Sequence, residues 1–507
     1  MGQRVVNRGL GRFFANCEKS GLALTYDDVR LKTKYSDVMP SETDVSSFFS
    51  RHVRLKIPIV SAAMDNVTEK DMAIAIAKLG GLGIIHRALS PKDQADQVDA
   101  VKFHLNALIK NPIFFYENQT INEVMQKKKE KGYTFDSFPI LDSDNKLVGV
   151  LTRNDIDFIR DFNMKIKEAM SRELITEKEG CDLETAYDIM VKNKKKLLPL
   201  VDEESRLKGL YVFKDVKRIV GGEKSMFNLD NRGQLRVGAA IGTLPGEEER
   251  IERLISKHVD VLVIDTAHGH SKAVIRTIKE IKKKYGVDVV AGNVSEPESI
   301  EALIKAGVDG IKVGQGPGSI CTTRIVAGIG CPQVTAIYKC AKAAKGRVPI
   351  CADGGIRYSG DITIALAAGA NSVMLGNLLA GTDETPGEIV LWGGRQWKAY
   401  RGMGSLKSLL ASASSRERYK EKGTEKAYLV PEGIEGLVPY KGSLEPIIIQ
   451  YVGGLRKGMG YVGARNISGL RSKAELMRIS QSGIKESHPH DVMITKEAPN
   501  YSGEKHV

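Results

Sequence analysis

The sequence predicts an α/β fold, a TIM (β/α)8 barrel interrupted by a second, smaller domain. Three observations predict it. Eight apolar segments of strand length, at 58–64, 81–86, 237–242, 261–267, 288–294, 310–316, 349–356 and 372–377, alternate with helical stretches. Two of those helices end on a glycine just before the next strand, Gly307 and Gly369. Between the second and third strands a stretch of different character repeats itself. A doubly wound open sheet is the alternative, disfavoured because no GxGxxG follows the first strand and eight strands suit closure. The expected division is a first barrel part at 1–107, an insert at 108–226, and a second barrel part at 227–507 that carries a flap at about 401–440 and a C-terminal tail.

Within the insert, SFPILD at 137–142 recurs as LLPLVD at 197–202, and GVLTRND at 149–155 recurs as GLYVFKD at 209–215. Both recur at one offset of 60 residues. Each copy reads helix, strand, turn, strand, helix. The turns fall at 142–145 and 202–205, and Asp155 or Asp215 is placed to cap the next helix. The pair resembles a tandem cystathionine-β-synthase-type (CBS) module. That resemblance implies a regulatory insert that binds ATP or GTP.

Composition narrows the class. Across 507 residues, 75 Lys+Arg against 62 Asp+Glu leave a net charge of +13, which suits anionic partners. Runs such as Lys127-Lys128-Lys129 and Lys194-Lys195-Lys196 carry no interleaved aromatics and read as solvated helix faces. A small phosphorylated ligand is therefore expected and nucleic acid is not. No segment approaches the roughly 18–20 apolar residues of a membrane span, and Arg4, Arg8 and Arg12 interrupt the N-terminus, so a soluble, unprocessed chain is expected. Six cysteines are too few for a disulfide framework and fit a reducing cytoplasm. Four of them lie between 321 and 351 without a CxxC pair, which argues against structural zinc.

In a barrel the residues after each strand gather at one face. There the sequence places Asp265 after strand four, Asn293 after strand five, GQGPGSICTTR at 314–324 after strand six, Asp353-Gly354-Gly355 after strand seven and Gly376-Asn377 after strand eight. The glycine turns after strands seven and eight suit phosphate bound by backbone N–H groups. The loop after strand six presents Cys321 on an exposed turn, where a thiolate near helix amides and cations becomes a nucleophile. On residue type alone, Arg418 and Tyr419 read as surface loop residues, and His268 and His270 as a pair without a third metal ligand.

Residues 314–324 closely match the cysteine-loop signature of the IMP dehydrogenase/GMP reductase family. The likeness covers nearly the whole chain: LTYDDV at 24–29, VSAAMD at 60–65, ADGGI at 352–356, YRGMGS at 400–405, the CBS-like insert, and the tail from ESH at 486–488 to Asn500-Tyr501. The resemblance implies that Cys321 attacks C2 of IMP, that hydride passes to NAD+, and that water hydrolyses the resulting thioimidate. Asp353 would meet the ribose hydroxyls. Gly355, Gly376, Asn377 and Tyr400 would hold the phosphate, and Met403 and Gly404 the purine, with Ser319, Gly354, Gly402 and Glu432 also at the substrate. Asp265, Asn293, Gly314 and Gly316 would face NAD+. Carbonyls of Gly316, Gly318 and Cys321, with Glu486, Ser487 and His488 of a neighbouring subunit, resemble a potassium site.

The polar stretch 412–426 contains Arg418-Tyr419, which match the pair on the dehydrogenase flap; GMP reductases have a shorter segment without it. By resemblance, Arg418 activates water with help from Tyr419, or Thr323 and Glu432 relay the proton. The resemblance also implies a bacterial-type enzyme, a tetramer that the CBS pair could assemble into an octamer. GMP reductase, using NADPH, and a non-catalytic nucleotide-sensing regulator are the rival readings. Gln315, Cys331 and Asn377 depart from the family pattern, and none removes a required group.

Overall fold

In the computed structural model, residues 7–105, 108–109, 112–131, 133, 135–220, 226–419, 428–496 and 498–501 are described. The chain divides into two compact units, Met1–Lys102 with Met226–Val507, and Phe103–Ser225.

The larger unit is built on eight parallel strands: β1 (Ile59–Ser61), β2 (Leu82–Ile85), β3 (Val237–Ile241), β4 (Val261–Asp265), β5 (Asp288–Val294), β6 (Gly310–Val313), β7 (Ile350–Asp353) and β8 (Ser372–Leu375). They close into a barrel in chain order, β8 pairing with β1. Every residue of β3, β4, β5, β6 and β8 is buried. Strands covered on both faces read as continuous apolar runs, which is why they were legible.

Several strands end earlier than the sequence suggests. β6 stops at Val313 because Gly314 and Gly316 take φ of +145° and +78°, and β7 stops at Asp353 because Gly354 and Gly355 take +95° and +80°. A β-carbon is strained at such angles, so glycine lets the chain turn out of the sheet where the polar residues begin. The helix Pro297–Ala306 starts on proline and, as expected, ends on left-handed Gly307. An antiparallel sheet of Ile389–Trp392, Arg395–Arg401 and Glu435–Pro439 rises from the same unit. Expected as polar chain, 413–419 is a helix (Ala413–Tyr419); the rest of that stretch, 420–426, and the tail end at 503–507 fall outside the described residues.

In the smaller unit the duplication is literal. Phe138–Leu141 pairs with Leu147–Leu151, and Leu197–Val201 with Leu207–Val212, each with a register shift at its last pair. The turns match residue for residue. Asn145 and Ser205 both take φ of +62°. Asp142 Oδ1 accepts from Asp144 N and Lys146 N, and Asp202 Oδ1 from Glu204 N and Arg206 N. Asp155 caps its helix from the third position, accepting from Thr152 N and Oγ1 at 2.7 Å each, where the sequence suggested a direct cap.

Candidate active site

The strand ends surround one cavity of about 410 Å³. Cys321, half-buried, stands two residues before the start of the short helix Thr323–Val326, its Sγ 3.2 Å from Thr323 Oγ1. Three backbone segments fix it. Thr322 N donates to the Glu432 carbonyl and Ile434 N to that of Ile320, each at 3.0 Å. Glu432 N donates to Gly404 and Gly402 N to Ile434, also at 3.0 Å. Arg324 braces the loop from behind, donating to the carbonyls of Gln315 (3.1 Å) and Cys331 (2.6 Å).

Across from the thiol, Lys312 lies on β6 with 2% of its side chain exposed. Its ammonium is 3.0 Å from Asp265 Oδ1 and 2.6 Å from Asp353 Oδ2, and it donates to Asn293 Oδ1. Asn293 Nδ2 in turn donates to the Gly314 carbonyl (2.6 Å) and to Asp353 (2.9 Å). One buried cation thus orients the two carboxylates and the amide that the sequence assigned separately. Burial makes such a charge tolerable only when it is paired.

At the other end, Gly376 faces Tyr400: a β-carbon there would sit 3.0 Å from the Tyr400 hydroxyl. Burial pushes the Tyr400 phenol up, a hydrogen bond with Ser319 opposing. It therefore stays a neutral O–H group, suited to donating to an anion. Gly355 and Asn377 line the cavity as well.

Arg418 and Tyr419 are not on the surface. The helix Ala413–Tyr419 carries them into the cavity, where the Arg418 guanidinium pairs with Asp265. The Arg418 carbonyl accepts from Ala267 N at 3.4 Å. Burial, and then the Arg87 charge, lower the Arg418 pKa, Tyr419 opposing. Burial pushes the Tyr419 phenol up, Arg418 opposing. The Tyr419 ring rests on Gly404, where a β-carbon would lie 2.7–3.0 Å from three ring carbons.

Except for Gly404 and the tail, every residue that the resemblance assigned to substrate, dinucleotide, ion or catalysis lines this cavity. Gly404 lies behind the wall, under Tyr419. In the tail, His488 Nδ1 is 2.9 Å from the Tyr501 hydroxyl, and its ring lies against Tyr358. His268 contacts Gln315 (3.3 Å), its ring 6.4 Å from that of His270. Among the described residues, the one His/carboxylate group compact enough for a metal is His52, Asp288 and Asp309. It lies where β5 and β6 begin, and Lys282 already pairs with Asp309 at 2.7 Å.

Residues 23–490 match the model of a family described as IMP dehydrogenase / GMP reductase domain. The chain belongs to the IMP dehydrogenase/GMP reductase family. It is 52% identical over 487 residues to a protein of Aquifex aeolicus named inosine-5′-monophosphate dehydrogenase, covering 94% of this chain and 97% of that one. A Bacillus subtilis protein of the same name is 48% identical over 484 residues, covering 94% and 98%. Among solved structures, a GMP reductase of Trypanosoma brucei in complex with guanosine 5′-monophosphate superposes with a TM-score of 0.82 at 38% identity, covering 94% of this chain and 100% of that one.

Sequence reasoning assigned no role to three polar residues that line the cavity, Lys312, Gln333 and Tyr26. Lys312 was legible as a lone charge inside an apolar strand of a parallel barrel. Gln333, 1% exposed, donates from Nε2 to the carbonyls of Val313 (2.9 Å) and Asp353 (3.2 Å). Tyr26 lines the cavity with a buried hydroxyl that has no partner among the described residues; it lies inside a motif that was noted without a role for it.

Proposed function

We propose that this chain oxidises IMP to xanthosine 5′-monophosphate with NAD+ and water, a step toward guanine nucleotides. The observation that carries the reading is the presence of Arg418 and Tyr419 in the same cavity as the Cys321–Thr323 pair, with Arg418 on Asp265. The Cys321 thiolate adds to C2 of IMP, and hydride leaves that carbon for the nicotinamide, giving NADH and a covalent thioimidate. Water then adds to C2 and gives up a proton to the protein, the C2–Sγ bond breaks, and xanthosine 5′-monophosphate leaves while the Cys321 thiolate is regenerated.

Asp353, held by Lys312 and Asn293, accepts from the ribose hydroxyls. Gly355, Gly376, Asn377 and Tyr400 bind the phosphate, while Ser319, Gly354, Gly402, Met403, Gly404 and Glu432 shape the purine site. Asp265, Asn293, Gly314 and Gly316 form the dinucleotide side. Because Arg418 pairs with Asp265, the flap helix and NAD+ are alternative occupants of that side. The site therefore runs its two steps in turn, first with dinucleotide and then with the water-activating pair. Arg418 with Tyr419, or Thr323 with Glu432, takes the proton.

A potassium ion fits the cysteine loop. The carbonyls of Gly316 and Cys321 accept no hydrogen bond from the described residues, and an oxygen-only donor set suits a hard cation. The Gly318 carbonyl and Glu486, Ser487 and His488 of a second copy complete it, in a homotetramer or octamer. The ion would hold the loop that carries Cys321.

The smaller unit is read as the CBS insert, 108–226, with ATP or GTP as its ligand; deleting it leaves turnover intact and abolishes any nucleotide response. Among the described residues no helix is long and apolar enough to cross a membrane. The free cysteines support a cytoplasmic location.

The deciding experiment pairs IMP with NAD+ in potassium buffer, followed for NADH, against GMP with NADPH, followed for loss of NADPH. NADH from IMP alone supports the dehydrogenase. NADPH loss with GMP replaces it with the reductase, the activity named for the Trypanosoma relative. Silence in both favours a nucleotide-sensing regulator.

A further inference from the structure

The flap helix is held by a residue that does not line the thiol cavity. Consecutive helix positions point about 100° apart, so with Arg418 turned inward, Glu417 reaches the loops that follow β2 and β3. Its carboxylate is received there on two sides. Oε2 lies 2.6 Å from Arg87 Nη1, and Oε1 accepts from Thr243 N (3.1 Å) and Thr243 Oγ1 (3.3 Å). Gly242 makes the room: a β-carbon would fall 2.4 Å from Arg87 Nη1 and 2.7 Å from both carboxylate oxygens.

The socket belongs to the barrel. Arg87 is 4% exposed and faces Glu247 at 3.8 Å. Glu247 pairs with Arg250 at 2.9 Å. Arg250 donates to Gln94 Oε1 at 2.7 Å, and Gln94 donates to the carbonyls of Ile85 on β2 (3.1 Å) and Ala240 on β3 (2.9 Å). Glu417, by contrast, keeps 41% of its side chain exposed, as a group that docks and undocks must. Burial pushes its carboxyl up, but Arg87 and Thr243 outweigh this and hold it below the usual range.

We propose that Glu417 is the latch of the flap, a positioning residue whose pairing with Arg87 and Thr243 sets how often Arg418 and Tyr419 occupy the site in place of the dinucleotide. The proposal rests on the dehydrogenase reading and adds to it a determinant of the division between hydride transfer and hydrolysis. Hydride transfer needs the flap away and hydrolysis needs it docked. Weakening the latch therefore spares the first step and slows the second.

Two readouts on Glu417→Gln and Thr243→Val test this. In rapid mixing with IMP and NAD+, the NADH burst keeps its rate and amplitude while steady-state turnover falls about fivefold or more in Glu417→Gln, the range of a charge-assisted contact with one side in solvent. Thr243→Val falls less, and Glu417→Asp restores part of the loss. Inhibition by excess NAD+ sets in at lower concentration. A parallel loss of burst and turnover, or no change in either, overturns the latch. Hydrogen exchange of the ligand-free parent and variant chains is independent of chemistry: peptides spanning 413–419 exchange faster in Glu417→Gln. Unchanged exchange overturns the latch even if NADH forms, whereas absent NADH in the parent refutes the dehydrogenase reading and leaves the exchange test standing.

Discussion

Replacing Lys312 with methionine removes the charge that joins the two halves of the site. The side chain is 2% exposed and serves Asp265 at 3.0 Å and Asp353 at 2.6 Å. Breaking a buried pair by deleting one partner costs about 3–5 kcal/mol, because the remaining charge is stranded. Two features place this case at the low end. Asp265 keeps Arg418 as a partner, and Asp353 is 20% exposed and retains the Asn293 amide at 2.9 Å. We therefore expect a loss of about 3 kcal/mol, read as a lower urea midpoint by circular dichroism, with weaker IMP binding because Asp353 is no longer oriented. In a Lys312→Met/Asp353→Asn double variant the stranded charge is gone, so the pair should be less destabilised than the sum of the singles, with a coupling of about 0.5–3 kcal/mol. A Lys312→Met variant as stable as the parent, or strictly additive singles, would refute the reasoning.

Three further outcomes are expected. Cys321→Ala yields no NADH from IMP yet still binds IMP in calorimetry; NADH from that variant would remove the thiol from the chemistry. Gly404→Ala places a methyl against the Tyr419 ring, an overpacking of about 1–3 kcal/mol; it keeps the NADH burst and slows the hydrolytic step about tenfold or more, and equal loss of both phases would mean a general defect. Burial pushes Cys351 up to about 12 and Cys340 higher, so at pH 8 their thiolate fractions are vanishing and a disulfide reagent labels half-exposed Cys321 and Cys181 first. IMP should protect Cys321 alone.

The barrel was legible because buried parallel strands are continuous apolar runs, and the cavity because glycine turns mark where each strand gives way to polar residues. The duplicated hairpins were legible for a different reason: the same aspartate turn recurs at one offset. What escaped were residues whose meaning lies in partners far along the chain. Lys312 sits inside a strand, where a charge reads as a flaw in the pattern; its partners lie on β4 and β7. Glu417 and Arg87 are separated by 330 positions, and neither belongs to a recognisable motif. Arg418 and Tyr419 were found by likeness alone, since a polar helix that turns inward looks like any surface segment until the cavity receives it.

If the dinucleotide occupies the Asp265 side, as proposed, a small molecule aimed there competes first with Arg418, the protein's own side chain. Its apparent affinity is the intrinsic one reduced by the fraction of sites the helix has vacated. Inhibitor potency measured on this chain would then vary with the stage of the catalytic cycle at which the site is trapped. Resistance could arise at positions the drug never touches, through substitutions that tighten the helix onto the barrel.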